Sequence, residues 1–528
     1  ILAQAIFLRA TVLLSLDMSI HVQSDNVKYD AETINTQYVY RSTIVEKDSE
    51  GNMKVTPTET NLTFRTQRKP GKTGLMLVGL GGNNGSTITA AVIANKLKMK
   101  WETKKGEQSA NYFGSITQSS TIRIGQTKDF EEVYAPLKNV VPMVDPSDLA
   151  IGGWDCSSSN LADAMRRAQV FEPELQRQLR PHMEHMTPLP AIFDIDFVAT
   201  NQTDRADNVL NMSKREAVEK VRQDIRDFKA AHELDKVIVL WTANTERFTE
   251  IQEGTHDTSD HILAALARSE AELAPSGCYA IASILEGCSY INGAPQNTLV
   301  PGIADLAEKH NVFIAGDDFK SGQTKMKSAL IEFFVGAGIK PECIASYNHL
   351  GNNDGRNLTS AKQFRSKEIS KANVVDDMVA SNEILFPPGT DKPDHCIVIK
   401  YLPHVGDSKR AMDEYIFQIF MGGQQCVVMH NTCEDSLLAS PLILDLAILT
   451  ELMQRIEVST DGGETFEPTR HVLSILSYLL KAPVVPKGTP VVNALNRQKQ
   501  CIENLLRALV GLPAENNMLL ECKLRQTA

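Results

Sequence analysis

Basic charge is in short supply: 54 lysines and arginines against 65 aspartates and glutamates give a net charge of −11 over 528 residues. That balance argues against a nucleic-acid partner, because affinity for a phosphate backbone comes largely from lysine and arginine. An anionic ligand would need positive charge gathered locally. The nine cysteines form no CxxC pair and no regular ladder. They signal neither a zinc module nor a disulfide framework, and the expected compartment is the reducing cytoplasm. HExxH, GxSxG and clustered histidines are missing too, so metal-assisted hydrolysis and a serine triad find no support and no metal site is expected. Long uninterrupted apolar runs are also absent. ILAQAIFLRATVLLSLD at the start is shorter than the ~20 residues a span needs, and Arg9 breaks it. LLASPLILDLAILTEL from Leu437 contains Pro441, Asp445 and Glu451, which reads as a buried helix and leaves no membrane partner. Residues 1–17 lack the basic start and cleavage site of a secretory signal. They read as a leader or upstream segment, with the protein proper beginning at Met18, the first methionine.

What is present is enough for two or more domains. Residues 18–70 alternate polar and β-branched residues (TQYVYRSTIVEK, MKVTPTETNLTF), as strands packing on a neighbouring domain do. From Leu75 the rhythm becomes strand, turn, helix. LMLVG, VIVLW (237–241), YAIASI (279–284) and VFIAG (312–316) are near-continuous apolar runs, expected as buried parallel strands with helices such as SKREAVEKVRQDIRDFKAAHE between them. The fold class is therefore α/β, a doubly wound parallel sheet. Beyond about residue 325, CIVIKYL (396–402) and QCVVMH (425–430) suggest strands of a second, antiparallel sheet, with helices from Glu434 onward. The parse is a discontinuous nucleotide-binding domain, 71–325 and 438–528, interrupted by a smaller α+β domain, 326–437.

LMLVGLGGNNGST (75–87) carries the first chemistry. Gly79, Gly81 and Gly82 allow a tight turn whose amides approach a pyrophosphate, and the following helix offers its positive N-terminus. Asn84 stands where a G-x-G-x-x-G fingerprint has its last glycine. Gly85 can supply the close packing one residue later, and Asn83 and Asn84 can donate to phosphate or ribose. The alternative is a glycine-rich turn without ligand. A dinucleotide site also wants a carboxylate on the second strand. Glu102 has the spacing, but its surroundings, KLKMKWETKKG, are too polar for a buried strand. Asp155, ending DLAIGGWD, suits better if 98–145 is an insertion, and otherwise is an ordinary strand-end aspartate.

Thr242, Asn244 and Thr245 in VLWTANTER sit where open α/β sheets bind ligands, or form an N-cap cluster for the next helix; spacing alone leans to the cap. In AGDDFKSGQTK (315–325), Ser321 and the first helix amides can hold one phosphate beside Asp317 and Asp318, or else are a cap with solvated carboxylates. FRSKEISK, if helical, sets Lys367 and Lys371 four apart on one face, which is repulsive unless an anion or carboxylate intervenes. Asn352, Asn353 and Asp354 can join them from the preceding loop. Lys409 in GDSK and Lys481 in LLKAP complete a set of lysines in partly apolar context. Desolvated, such lysines suit proton transfer and carbonyl polarisation; taken singly, each reads as a surface lysine.

Together GLGGNNGST, WTANTER, INGAPQNT, AGDDFKSGQTK, SYNHLGNNDGRNL, FRSKEISK, GDSK and HNTCEDSLLASPLILDL resemble the inositol-3-phosphate (myo-inositol-1-phosphate) synthase family of the eukaryotic type. These eight ordered motifs run from about Lys54 to the C-terminus, with a weaker likeness from Met18; residues 1–17 fall outside them. The loop FPPGTDKPDH departs from the family pattern without touching the lysine motifs.

The resemblance implies an isomerase that converts glucose 6-phosphate to inositol phosphate, the first committed step of inositol and phosphoinositide synthesis, with a tightly held, recycled NAD. Oxidation at C5, enolisation toward C6, aldol closure onto C1 and reduction give no net redox change. By motif position, Lys367 would transfer the proton, with Lys371 near the substrate phosphate. Lys409 and Lys481 would stabilise oxygen charge. Ser321, Asn352, Asn353 and Asp354 would hold the phosphate or its neighbours, and Asp318 and Asp435 would orient the nicotinamide side and the lysines. Gly79, Gly81, Gly82, Asn83, Asn84, Gly85, Asp155, Thr242 and Asn244 would hold NAD, with Asp155 on the adenosine ribose. The resemblance also implies a Rossmann domain, an inserted domain carrying FRSKEISK and the oligomer interface, and a homotetramer; a monovalent cation such as ammonium near the nicotinamide is allowed. Two other readings stand beside it: a plain NAD-dependent sugar-phosphate dehydrogenase and a non-catalytic NAD-binding scaffold.

Overall fold

A computed structural model describes residues 20–129 and 131–516. The expected leader, residues 1–17, and the start at Met18 lie outside the described residues.

The central sheet has six parallel strands. In spatial order they are Leu189–Pro190, Ala150–Asp155, Thr73–Val78, Lys236–Trp241, Ser289–Asn292 and Ile314–Ala315. Numbered along the chain this is 3-2-1-4-5-6, the doubly wound order of dinucleotide-binding domains. Thr73–Val78 is buried at every residue, because apolar layers cover both faces of the sheet. One layer includes Leu75 and Leu77 with Ile88, Ile443 and Ile448; the other includes Met76 and Val78 with Val221, Ile281 and Ile303. The helix Asp435–Met453 belongs to the first layer and packs on Asn83–Lys96. It is long and apolar enough to cross a membrane, yet 89% of its apolar window is buried inside the protein.

Three expectations about elements fail. YAIASI is not a strand but part of the helix Pro275–Leu285, and the strand follows as Ser289–Asn292. Every residue from Pro275 to Ile284 is buried, so the helix has no polar face to betray its period. The second sheet is mixed, not antiparallel: Lys340–Leu350 pairs parallel with Asp394–Tyr401 and antiparallel with Ser408–Gln418, which pairs antiparallel with Gln424–Glu434. The segment after Glu434 is not all helical. Ile456–Ser459 and Glu467–Pro468 return to a five-stranded antiparallel sheet built on the hairpin Thr33–Lys47 and Met53–Gln67. KWET, rejected as a core strand, pairs only with Gly106–Ser109 in a two-stranded ribbon, between the first and second strands of the central sheet.

Two connections bring the sheets together at one place. Helix Gly322–Gly336 leads from the last strand of the central sheet into the mixed sheet, and Asp435–Met453 leads back. Helix Ala361–Ala372, with Lys367 and Lys371, packs on Asp394–Tyr401.

Candidate active site

The turn after Thr73–Val78 lies where the strand order reverses. Gly79 has φ +96°, and a Cβ there would come 2.7 Å from the Ala243 backbone. At Gly85 a Cβ would meet the Leu80 carbonyl at 2.4 Å, so only glycine lets the helix Asn83–Lys96 seat this close to its strand. A Cβ on Gly81 would sit 3.1 Å from the Asp155 carboxyl carbon. The helix starts at Gly82 with no side chain on its first amides, which leaves them for an anion. Asn84 Nδ2 donates to Thr242 Oγ1 at 2.9 Å, tying the first and fourth strands across the crevice. Packing falls to Gly85, which leaves position 84 free to carry a donor.

Asp155 ends the neighbouring strand and is buried. Burial raises its pKa, with Arg205 and Arg167 opposing. Its Oδ1 accepts from Ser157 N at 2.9 Å. These features fit a dinucleotide: a phosphate-sized turn, free helix amides and a carboxylate at the second strand. Gly85→Ala is expected to lose the rise in unfolding temperature that NAD gives the wild type, a linkage worth about 2.7 kcal/mol at a hundredfold excess over Kd. An unchanged NAD shift in a scanning fluorimetry titration would refute the assignment of this turn.

Thr242, Asn244 and Thr245 do not cap a helix, since the next one is Ser259–Ala267. Asn244 and Asn353 both donate to Gln202 Oε1 at 2.7 Å. Asp354 accepts from Thr245 N and Oγ1 at 2.8 and 3.0 Å. The loop carrying Asn352, Asn353 and Asp354 is thereby fastened to the carboxyl ends of the central strands.

Asp317 and Asp318 are both buried, not solvated. Asp318 Oδ1 lies 3.1 Å from Lys367 Nζ; its Oδ2 is 2.8 Å from Lys481 Nζ and accepts from Ser370 Oγ at 2.5 Å. Against burial, the two lysines hold the Asp318 pKa down to about 2. One carboxylate neutralises one ammonium, and the lysines divide accordingly. Despite burial, Asp318, Asp354 and Asp435 raise the pKa of Lys367, whereas burial and the neighbouring ammonium groups bring Lys481 to about 7. Lys409 pairs with Asp435 at 3.5 Å, and Asn352 Nδ2 reaches the other Asp435 oxygen at 3.5 Å. Among the described residues, no carboxylate is in contact with Lys371. It bonds Asn348 Oδ1 at 3.1 Å and Gln323 Oε1 at 3.3 Å, and burial and four neighbouring lysines pull its pKa well below the ordinary value.

One cleft joins these groups. Its walls include Gly79, Gly82, Asn83, Asn84, Asp155, Thr242 and Asn244 at one end, and Asp318, Ser321, Asn352, Asn353, Asp354, Lys367, Lys409, Asp435 and Lys481 at the other. Gly81, Gly85 and Lys371 stand behind this wall. The cleft opens to solvent, and the dinucleotide turn and the lysine cluster face the same space.

Sequence reasoning missed four groups here. Gln202 is described above, and Arg205 lines the Asp155 end. Asp407 accepts from Ser436 N and Oγ at 2.9 and 2.7 Å and from Asn83 at 3.3 Å, and its carbonyl accepts from Lys409 N and Asp435 N at 2.9 Å. Glu246 in WTANTER is buried, accepts from Ser276 Oγ at 2.5 Å, and is pushed up to about 8 by burial. Asp407 and Glu246 lie within quoted motifs, so position was the available signal.

Residues 73–507 match the model of the myo-inositol-1-phosphate synthase family. The chain belongs to this family. An inositol-3-phosphate synthase of Trypanosoma brucei brucei is 60% identical, over 94% of this chain and 96% of that one. Inositol-3-phosphate synthase 1 of Homo sapiens is 56% identical, over 96% and 90%. The crystal structure of inositol-3-phosphate synthase from Caenorhabditis elegans superposes with a TM-score of 0.93 at 56% identity, covering 96% of this chain and 98% of that one. Membership fixes the α/β fold with a dinucleotide-binding domain, and the lysine-rich cleft beside that domain is where a member's chemistry can be housed.

Proposed function

We propose that this chain is an NAD-dependent inositol-3-phosphate synthase converting glucose 6-phosphate to 1D-myo-inositol 3-phosphate in the cleft just described. The observation that carries the reading is the Lys367–Asp318–Lys481 unit in the same cleft as the dinucleotide turn. NAD, held by the turn at 79–85 with Asp155 on the adenosine ribose and Thr242 and Asn244 alongside, would supply reversible oxidation of one sugar carbon.

The remaining steps fall to the chain's own side chains. Enolisation needs a base near neutrality, and the two lysines sharing Asp318 form a proton-exchanging pair in which Lys481 is the member brought to about 7. Lys367, held charged, can polarise the carbonyl and pass a proton through the same carboxylate. Lys409, fixed by Asp435, can stabilise oxygen charge during ring closure. Ser321 and the uncapped amides opening helix Gly322–Gly336 support a phosphate subsite, with Lys371 behind them and Asn352 and Asn353 beside them.

The finer readings rest on separate observations. A homotetramer is supported by apolar side chains left exposed, Phe420 and Met421 at 88% and 86% beside the mixed sheet and Tyr40, Ile44 and Val55 on the long hairpin. A monovalent cation near the nicotinamide stands on the family resemblance alone. A cytoplasmic location accords with free cysteines, and a role in phospholipid synthesis follows from the product.

Purified protein given glucose 6-phosphate and a trace of NAD, followed by NMR, is expected to convert all the sugar phosphate to inositol phosphate without net NADH. A halt after one equivalent of NAD would make it a dehydrogenase. No change would favour the scaffold or a different substrate.

A further inference from the structure

Behind the cleft wall, three buried residues from three elements form a chain of contacts. Asp413, on strand Ser408–Gln418, is 1% exposed. Its Oδ1 accepts a short hydrogen bond from Gln323 Nε2, and its Oδ2 accepts from Tyr415 OH at 2.8 Å. Gln323 lies in the first turn of helix Gly322–Gly336, and its Oε1 faces Lys371 Nζ at 3.3 Å. Lys371 belongs to helix Ala361–Ala372, and its other contact is Asn348 Oδ1 at 3.1 Å.

The order of atoms follows from donor chemistry. A glutamine amide has one accepting and one donating end. An ionised carboxylate only accepts, so beside Asp413 the NH2 of Gln323 must turn toward the carboxylate and its oxygen toward the ammonium. Without that carboxylate the amide can rotate and present N–H to Lys371, a donor meeting a donor. Tyr415 closes the other oxygen of Asp413 and leaves Gln323 one orientation.

We propose that the buried Asp413–Gln323 pair is a positioning element for Lys371, fixing the ammonium that backs the phosphate subsite of the substrate with positive charge. This rests on the reading of Lys371 as the phosphate-side lysine. Asp413 does not touch the cleft; it acts through Gln323. The neighbouring buried lysine, Lys327, bonds Ser346 Oγ at 2.9 Å and His395 Nε2 at 2.8 Å; the Asp413 charge also acts on it, opposing the fall that burial imposes on its pKa, but no hydrogen bond joins the two.

The test is a double-mutant cycle on the NAD-loaded enzyme, read by calorimetric titration with inorganic phosphate and by kcat and KM for glucose 6-phosphate in variants that turn over. Lys371→Ala is expected to weaken phosphate binding roughly 10- to 100-fold, as the loss of a charge-assisted contact does. Asp413→Asn, which keeps shape but offers an amide free to flip, should weaken phosphate roughly tenfold and raise KM similarly, with kcat within about threefold. In the Lys371→Ala background the same change should shift phosphate binding less than about twofold, since the two act as one unit. Equal weakening in both backgrounds, or none from Asp413→Asn alone, overturns the positioning role. If Lys371→Ala leaves phosphate binding intact, the reading of Lys371 falls and the proposal with it. Should Asp413→Asn not fold, Gln323→Met reads the same coupling, because it leaves Asp413 its Tyr415 hydroxyl.

Discussion

Lys367→Ala is expected to lower kcat by roughly 10²- to 10⁴-fold, the range for loss of a positioned acid–base group, while NAD still raises the unfolding temperature as it does in the wild type. The two effects separate because Lys367 reaches the cleft from helix Ala361–Ala372, whereas the dinucleotide turn is held by glycine packing and the Asn84–Thr242 bond. The fold should tolerate the change. Asp318 keeps Lys481 at 2.8 Å and Ser370 at 2.5 Å, so its charge is not orphaned. The chemistry changes instead: with one lysine left per carboxylate, Lys481 is held more firmly protonated, and its pKa climbs from about 7 toward the ordinary range. Any residual activity should therefore peak at a higher pH than in the wild type. Lys367→Arg should not rescue turnover, because a guanidinium keeps its proton. Turnover near the wild-type rate in Lys367→Ala would remove the acid–base assignment.

Much of this site was legible because its parts are local in sequence. The glycines, the strand before them and the helix after them lie within the 24 residues Thr73–Lys96, and Lys367 and Lys371 stand four apart, a spacing that shares a face once the segment is helical, as it is. Asp155 was a conditional candidate, raised because AIGGWD is apolar and ends in a carboxylate, and the structure places it at the end of the second strand of the central sheet. What could not be read are partnerships across the chain. Asp407 meets Asn83 from 324 positions away, and nothing in GDSK announces a helix N-terminus waiting for its carboxylate. Gln202 sits in a short polar 3-10 helix, Thr200–Arg205, with no apolar pattern, and its role exists only because Asn244 and Asn353 converge on it. The division of charge among the lysines was equally hidden: spacing shows several cations, whereas burial and the single Asp318 carboxylate decide which keeps its proton. The misread helix Pro275–Leu285 fails for the opposite reason, since burial on all sides erases the amphipathic period that separates helix from strand.

Asp318→Asn is expected to cost the most stability of any single change in the cleft. Removing one partner from a buried ion pair costs about 3–5 kcal/mol, because the charge left behind has neither water nor counterion. Here two lysines lose the same partner, with Lys481 6% and Lys367 16% exposed. Each can escape the cost by releasing its proton, so both pKa values should fall and the protein should lose activity through the loss of its charged member. The pH dependence then keeps its sign but moves to a higher window. In the wild type, the pKa of Asp318 is held at about 2 against an ordinary 3.8, so its contribution is complete above pH about 4 and drains away as the pH falls toward 2, amounting to about 2 kcal/mol. The asparagine variant lacks that acid limb. Its unfolded chain binds protons that the buried lysines refuse, so its stability should rise with pH between about 7 and 10. Urea unfolding at pH 7 and pH 9 measures both effects: the gap between wild type and variant should be widest at pH 7 and narrow at pH 9. A variant as stable as the wild type, with a gap that does not move with pH, would mean that Asp318 is not the counterion on which the two lysines depend.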